Sequence, residues 1–210
     1  MDELATRVRG VDPIELDDDG RTAYWLNAYN LTLLRALAER PRSGRAWRHR
    51  RLFSGSVHTV GGLDYSLDVI EHGLLRGNRR PPYGPRRLLR PGDPRLLAAP
   101  SRPDPRIHFA LNCGARSCPS VQVYTAAVDA ELKRATHAYL AAESRFDPER
   151  GLLVLPGLMR LYRSDFGGRV GIIEFAAEHL GGQAGELVAS RAGELKLAFA
   201  RFDWRMEQPA

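Results

Sequence analysis

The sequence predicts an α+β fold in a single domain, with helices packed on a small, mostly antiparallel sheet. Three observations carry this expectation. An apolar stretch of helical period follows the acidic run Asp17-Asp18-Asp19, a Gly61-Gly62 pair joins two short strand-like segments, and further short apolar segments are interspersed with helical ones as far as Phe199. A chain of 210 residues sits near the upper end of one ordinary domain, and 43% hydrophobic with 27% charged residues is a globular composition. There is no internal repeat and no low-complexity tract.

The elements follow in order. Residues 1–16 read as a lead-in helix or arm. One aspartate of the acidic run caps a helix from about Arg21 to Arg40, which Pro41 ends. Tyr24, Leu31, Leu34 and Ala38 recur on it as a core-facing stripe. Asn27 and Asn30 lie on or beside that stripe. Asparagine is costly in a core unless fully hydrogen-bonded, so the pair predicts an interior polar network. Val57–Val60 and Leu63–Tyr65 read as a hairpin across Gly61-Gly62. Ser66 fits the N-cap of a short helix, Leu67–Leu75, carrying Glu71 and His72. From Arg76 to Pro105 the density of Pro, Gly and Arg predicts loop. Ile107–Leu111 reads as the best central strand, with Cys113–Pro119 as the loop at its end. Thr125 is expected to cap a helix reaching about Glu143. Gly151–Leu155 reads as a strand, Ile172–Leu180 as a helix, and Leu195, Leu197 and Phe199 alternate as a last strand.

Composition excludes some function classes. No apolar run approaches the roughly 18 residues that span a bilayer, so no membrane role is expected. The start Met1-Asp2-Glu3-Leu4 lacks the basic flank and apolar stretch of a secretion signal, which points to the cytoplasm. The formal charge of +6 rests almost wholly on arginine, Lys133 and Lys196 being the lysines. That bias is what codon pressure in a GC-rich bacterial genome would give. The arginines are scattered rather than gathered on one aromatic-bearing face, so no nucleic-acid partner is expected. The exception is the Arg79–Arg95 loop, with Arg80, Arg86, Arg87 and Arg90. It reads most simply as a solvated excursion, and alternatively as a collector of an anionic substrate or protein partner.

The reactive groups gather between His108 and Cys118. The loop offers two thiols, the hydroxyl of Ser117, the cation of Arg116 and the flexible Gly114. A thiolate is a nucleophile, and a neighbouring cation lowers its pKa. Gly114 can present an N–H directly after Cys113 for a developing oxyanion, whereas Pro119 offers none after Cys118, which tilts the choice towards Cys113. Glu71-His72 supply a second acid–base pair, with Arg76 one turn further on. Four readings of the cysteines stay open: buried structural thiols, a catalytic nucleophile, a reversible disulfide, or zinc ligands with a histidine. His108 alone reads as an ordinary strand histidine. His49, His58, His137 and His179 read as surface or packing residues.

Several ordered blocks resemble the family catalogued as domain-of-unknown-function family 547. They are Ala23-Tyr24-Trp25-Leu26-Asn27-Ala28-Tyr29-Asn30, the block from Tyr65 to Arg76, the segment from Arg106 to Pro119 continuing through Val123-Tyr124-Thr125, and Phe202-Asp203-Trp204. Together they span about residues 20–206. The resemblance invites a comparison with papain-like and transglutaminase-like cysteine enzymes, by analogy only. The family's activity is unsettled, and the residues themselves lead to the expectation of a thiol-dependent enzyme acting on amide or thioester bonds, as hydrolase or acyltransferase, on a small-molecule or peptide-like substrate. Cys113 or Cys118 would attack, His72 or His108 would serve as base, and Asn27 or Glu71 would orient the imidazole. Trp25, Asn30, Arg76, Gly114, Arg116 and Ser117 would contact substrate. No cofactor and no bound metal are expected. The competing expectation is a binding module in which the cysteine loop is structural or holds zinc.

Overall fold

The structure, a computed structural model, describes residue 8, residues 10–39 and residues 49–206, with residues 49–51 as backbone. The first long helix, α1 (Asp18–Ala38), begins where the acidic run ends: the Asp17 carboxylate accepts a hydrogen bond from the Gly20 N–H at 2.8 Å. It starts three residues earlier than its apolar period suggests, because Asp18 and Asp19 fit the positive end of its first turn. Its middle, residues 23–33, is buried on every side apart from the half-buried Asn27. The expected one-sided stripe is therefore corrected: Leu34 and Ala38 are exposed. Half of the predicted lead-in segment lies outside the described residues, and within the rest Pro13–Glu15 forms a 3-10 turn. The helix ends at Ala38 with Glu39 as its C-cap, short of the expected Arg40, and Arg40 and Pro41 lie outside the described residues.

A short helix α2 (His49–Gly55) leads into the expected hairpin, β1 (Val57–Val60) and β2 (Leu63–Ser66), paired antiparallel with Val60 opposite Leu63. Both turn glycines have positive φ, 58° and 72°, as a tight two-residue hairpin turn requires. The next helical segment, Val69–Leu75, is a π-helix. The following loop contains one 3-10 turn, Pro94–Ala98, and is otherwise irregular, as expected.

The central strand expected at Ile107–Leu111 is absent. Pro105–Phe109 forms a 3-10 turn, with Asp104 capping the Arg106 N–H at 2.8 Å and Pro105 in the first position. A short buried apolar run reads alike whether it is a strand or a buried turn. Then follow α3 (Val128–Glu143), β3 (Arg145–Asp147), β4 (Leu152–Leu155), α4 (Gly157–Leu161), α5 (Gly168–Leu180), α6 (Gly182–Ser190) and β5 (Lys196–Phe199). Thr125 stands one turn ahead of α3 and binds Glu131 through both its N–H and its hydroxyl, each at 2.7 Å. The second sheet is mixed: β4 pairs antiparallel with β3 and parallel with β5. The architecture is thus α+β, with a two-stranded antiparallel sheet and a three-stranded mixed one.

Two apolar clusters hold it together. One gathers α1, the hairpin, the π-helix and the start of α3 around Trp25, Leu26, Tyr29 and Ile70; the other gathers α4, α5, α6 and the mixed sheet around Phe109, Leu155, Met159 and Ile172. Ile107 and Ala110 belong to the first and Phe109 to the second, so the turn before the cysteines lies on the seam. Helix α3 crosses it, giving Val128 and Leu132 to one side and Leu140 to the other. Among the described residues no helix is long and apolar enough to cross a membrane.

Candidate active site

A cavity of about 440 Å³ opens at that seam. Tyr29, Phe53 and Leu111 line it from the first cluster, Leu158, Tyr162 and Phe202 from the second, and Asp68, Glu71, His72, His108, Cys113 and Cys118 bring polar and sulfur groups to the wall.

The π-helix places three of these groups. Ser66 caps it, its hydroxyl oxygen accepting from the Val69 N–H at 3.2 Å. The wider turn is recorded in the bond from the Arg76 N–H to the Glu71 carbonyl, five residues back, at 2.9 Å. Asp68, Glu71 and His72 consequently share the cavity wall. Gly73 sits where a Cβ would come within 2.9 Å of Leu89, so the side chain is omitted to let the loop pack against the helix.

Behind the wall lies a buried charge network. Asp165, in the turn after α4, accepts from Arg76 Nε and Nη2 at 2.5 and 3.0 Å, from Arg79 at 3.0 Å and from His108 Nε2 at 2.9 Å. Burial alone would raise the Asp165 carboxyl, but hydrogen bonds from His108 and Arg76 and the charge of Arg76 hold it far below the usual range. Glu71 accepts from the hydroxyls of Tyr162 at 2.6 Å and Tyr29 at 3.4 Å. Burial pushes its carboxyl up, yet the imidazoles of His72 and His108, the Tyr162 hydroxyl and Arg76 together bring it below the ordinary value. Glu71 is therefore an anion at neutral pH. Burial and the charge of Glu71 push both tyrosines well above their usual pKa, so they remain donors.

Arg76 cannot give up its charge, so its Nη1 contact to His72 Nδ1 at 2.9 Å makes that nitrogen an acceptor. The competing approach of Glu71 to the same nitrogen is longer, 3.5 Å. Burial lowers the His72 pKa, Glu71 opposes this, and Arg76 adds to the lowering, which agrees with a neutral ring carrying its proton on Nε2. In His108 the order is reversed. Asp165 accepts from Nε2–H, leaving Nδ1 of the neutral ring as the basic lone pair. The ring is further fixed by stacking on Tyr162, 3.8 Å between centroids. Each imidazole is thus anchored through one nitrogen; the other, Nε2 of His72 and Nδ1 of His108, has no hydrogen-bond partner among the described residues. One ring offers a donor and the other a base.

The two sulfurs are joined in a disulfide spanning five positions. The Cys113 N–H donates to the Cys118 sulfur at 3.0 Å. Gly114, with φ 78° and Met206 packed where its Cβ would stand, donates its N–H to the Asn112 side chain at 2.6 Å. That N–H is committed inside the loop, so the expected tilt towards Cys113 reverses: the donor present favours negative charge on Cys118. Among the described residues no group of three or more His, Cys, Asp or Glu side chains is arranged to hold a metal ion.

The remaining predicted site residues fall away from the cavity. Asn27 clamps the backbone of Tyr124, donating to its carbonyl at 2.7 Å and accepting from its N–H at 2.9 Å, so its amide is spent there rather than on an imidazole. Asn30 bridges the Ala110 carbonyl and the Asn112 N–H in the same manner. The pair does form the interior polar network expected of it, as a fastening for the loop that carries the cysteines. Trp25 is fully buried, its indole N–H donating to the Ala98 carbonyl at 2.7 Å, so it is core rather than substrate contact. Arg116 and Ser117 tie the loop to the C-terminal segment: the Arg116 N–H bonds the Arg205 carbonyl, and the Ser117 hydroxyl accepts from the Asp203 N–H. Arg76 acts on His72 and Asp165 from behind the wall. Of the expected set, Glu71, His72, His108, Cys113 and Cys118 come together in the lining. Asp165 and Tyr162 went unforeseen because nothing in Leu161-Tyr162-Arg163-Ser164-Asp165 marks either as different from a surface turn. Only contact through the fold reveals them.

A family model described as "Protein of unknown function, DUF547" matches residues 13–140. No curated protein and no solved structure matches the chain.

Proposed function

The chain belongs to the DUF547 family, and on that premise we propose a thiol-dependent enzyme that hydrolyses amide or thioester bonds or passes their acyl group to an amine. The observation that carries this reading is one cavity lined by both sulfurs and by two imidazoles, each anchored through a single nitrogen. While the two sulfurs are joined, neither can attack a carbonyl. A dithiol reductant supplies two electrons and two protons, becomes a disulfide itself, and leaves Cys113 and Cys118 as thiols. His108, held by Asp165, takes the Cys118 proton on Nδ1, while the Cys113 N–H supports the thiolate. The sulfur attacks the substrate carbonyl, and His72 Nε2–H is the donor for the oxyanion. Collapse breaks the bond to the leaving amine or thiol, which receives the proton from His108. Water or an amine then attacks the enzyme thioester, giving its proton to His108, and Cys118 regains it. The need for a reduced Cys118 suits the cytoplasm. The exposed Arg80, Arg86, Arg87 and Arg90, in the loop whose Pro82 and Tyr83 line the cavity, offer a surface to an anionic protein partner.

Release of an arylamine or thiol from acylated probes, with and without a phosphine reductant, tests the reading. Activity should appear on reduction, survive Cys113→Ala and vanish in Cys118→Ala. Undiminished turnover in the double alanine variant, or equal turnover of oxidised and reduced protein, rejects it. The alternative of a binding module draws on the disulfide itself, together with the bonds from residues 116 and 117 to the C-terminal segment. It is supported if reduction yields no turnover while both forms take up the same ligand.

A further inference from the structure

We propose that Cys113 and Cys118 also form a reversible redox couple, which reduces small disulfides with apolar substituents by thiol–disulfide exchange in the cavity. The first observation is that the bond between the two sulfurs is redundant for the shape of its loop. Both chain neighbours of each cysteine are fastened by hydrogen bonds that do not involve sulfur. Beside Cys113, the Asn112 N–H donates to the Asn30 side chain at 3.1 Å, and the Gly114 N–H donates to the Asn112 side chain at 2.6 Å. Beside Cys118, the Ser117 carbonyl accepts from the Tyr139 hydroxyl at 2.6 Å, and the Pro119 carbonyl accepts from the Asn112 amide at 2.7 Å. That last bond ties the two ends of the loop directly. The disulfide closes a separation of only 5, so it removes little chain entropy. Reduction therefore leaves the cysteines where they stand, with Cα atoms 6.1 Å apart, inside the range a disulfide spans. The pair closes again without rearrangement.

The second observation is that both sulfurs line a cavity of about 440 Å³, the size of a small-molecule site, rather than lying sealed in a core. Leu111, Pro119, Leu158, Leu161 and Phe202 line it with them, an apolar surface on which the substituents of a small disulfide lose water. The exchange starts from the reduced pair. His108 Nδ1 takes the Cys118 proton, and the thiolate, supported by the Cys113 N–H, attacks one sulfur of the substrate. The substrate S–S bond breaks, a mixed disulfide forms on Cys118, and the departing thiolate takes the proton from His108. Cys113 then gives its proton to His108 and attacks the Cys118 sulfur. The bond between the two cysteines forms, the mixed disulfide breaks, and the second thiolate leaves with that proton. The substrate has gained two electrons and two protons and become two thiols, while the cysteine pair is oxidised. A dithiol reductant restores the pair.

Dipropyl disulfide and bis(2-hydroxyethyl) disulfide, which carry a methyl or a hydroxyl at each end of otherwise equal chains, test both parts. The protein is reduced with a phosphine, freed of it without air, and mixed with each disulfide while thiol release is followed. Each rate is divided by the rate of the same disulfide with N-acetylcysteine, which removes differences in intrinsic reactivity. On that scale dipropyl disulfide should react roughly tenfold faster. Wild type should release two thiols per chain and keep no adduct. Cys113→Ala should release one and stop as a mixed disulfide on Cys118, which trypsin separates from position 113 by cutting at Arg116. Leu161→Ser, at a position 37% exposed, and Phe202→Ala should each narrow the preference. The inference is overturned if neither disulfide is reduced faster than by N-acetylcysteine, or if the hydroxyethyl compound is preferred or equal. It is overturned as well if wild type stops at the adduct, or if both lining variants leave the preference unchanged. No acyl probe enters these measurements. Disulfide reduction without acyl release removes the acyl reading and leaves the redox couple standing; acyl release with no disulfide reduced does the reverse.

Discussion

Replacing Asp165 by asparagine tests the charge network that fixes His108. The carboxylate is 6% exposed and accepts two bonds from an Arg76 side chain that is itself 3% exposed, plus one from His108. The contribution of Arg79, 45% exposed, is screened by water and is left aside. Removing one partner of a buried ion pair leaves the other charge uncompensated, at a cost of about 3–5 kcal/mol. An asparagine at this site also turns an NH₂ group towards donors, so one of the former bonds becomes a repulsion. Urea unfolding followed by circular dichroism at pH 7 measures the loss. Because the folded carboxyl titrates far below its unfolded value of about 3.9, its stabilisation is complete above that value and fades as the pH falls towards the folded one. The gap between Asp165→Asn and the wild type should therefore be constant from pH 8 to about 5 and shrink only below about 4. Adding Arg76→Met to Asp165→Asn should recover part of the loss, since the stranded cation is then gone. A cost under about 1 kcal/mol at pH 7 would mean a solvated pair, and the anchoring of His108 would lose its physical basis.

Four further outcomes follow from the same contacts. Tyr162→Phe keeps the ring stacked on His108 but deletes the 2.6 Å bond to Glu71; it should cost about 1.5–3 kcal/mol and raise the Glu71 pKa, visible in an NMR titration. Asn30→Ala strands the Ala110 carbonyl and the Asn112 N–H and should cost about 1–3 kcal/mol in urea unfolding, with faster iodoacetamide labelling of the reduced cysteines as the loop loosens. Reduction of the disulfide opens a loop of separation 5, worth about 2 kcal/mol of chain entropy, so the reduced protein should stay folded by circular dichroism with a modestly lower midpoint. His72, whose folded pKa lies below the ordinary 6.5, takes up its proton less readily than the unfolded ring, so stability should fall as the pH drops from 7 to 5, and His72→Gln should flatten that slope.

Local chemistry was legible in the sequence and long-range contact was not. The acidic cap, the Gly61-Gly62 hairpin, the Ser66 cap and the gathering of Glu71, His72, His108 and the cysteines all follow from residues close together in the chain or from motif resemblance. The strand expected at Ile107–Leu111 fails because burial on all sides produces the same apolar run in a turn as in a strand, and only the Asp104-Pro105 pair ahead of it hinted at the turn. The π-helix left no trace, since its wider turn is set by packing rather than by composition. Asn27 and Trp25 show the opposite hazard: residues chemically able to serve a site are occupied in holding backbone in place.

The seam between the two cores also decides which part of the chain carries which task. The family match ends at residue 140, and within it lie the π-helix, His108 and both cysteines. Asp165, which sets the His108 tautomer, lies beyond it, as do Leu158, Leu161, Tyr162, Phe202 and Trp204 in the cavity wall. Without that second part His108 would lose both its hydrogen-bond anchor and the ring it stacks on, and its basic nitrogen would no longer be fixed by geometry. Reactive groups supplied by the first part are thus brought to a defined proton arrangement by the second. A segment ending near residue 140 would keep the thiols and imidazoles and, on this reading, should bind and turn over nothing. Expressing residues 1–140 and 141–210 as separate chains and assaying them singly and mixed checks this: activity in the first chain alone would show that Asp165 is dispensable and that His108 is oriented from within its own segment.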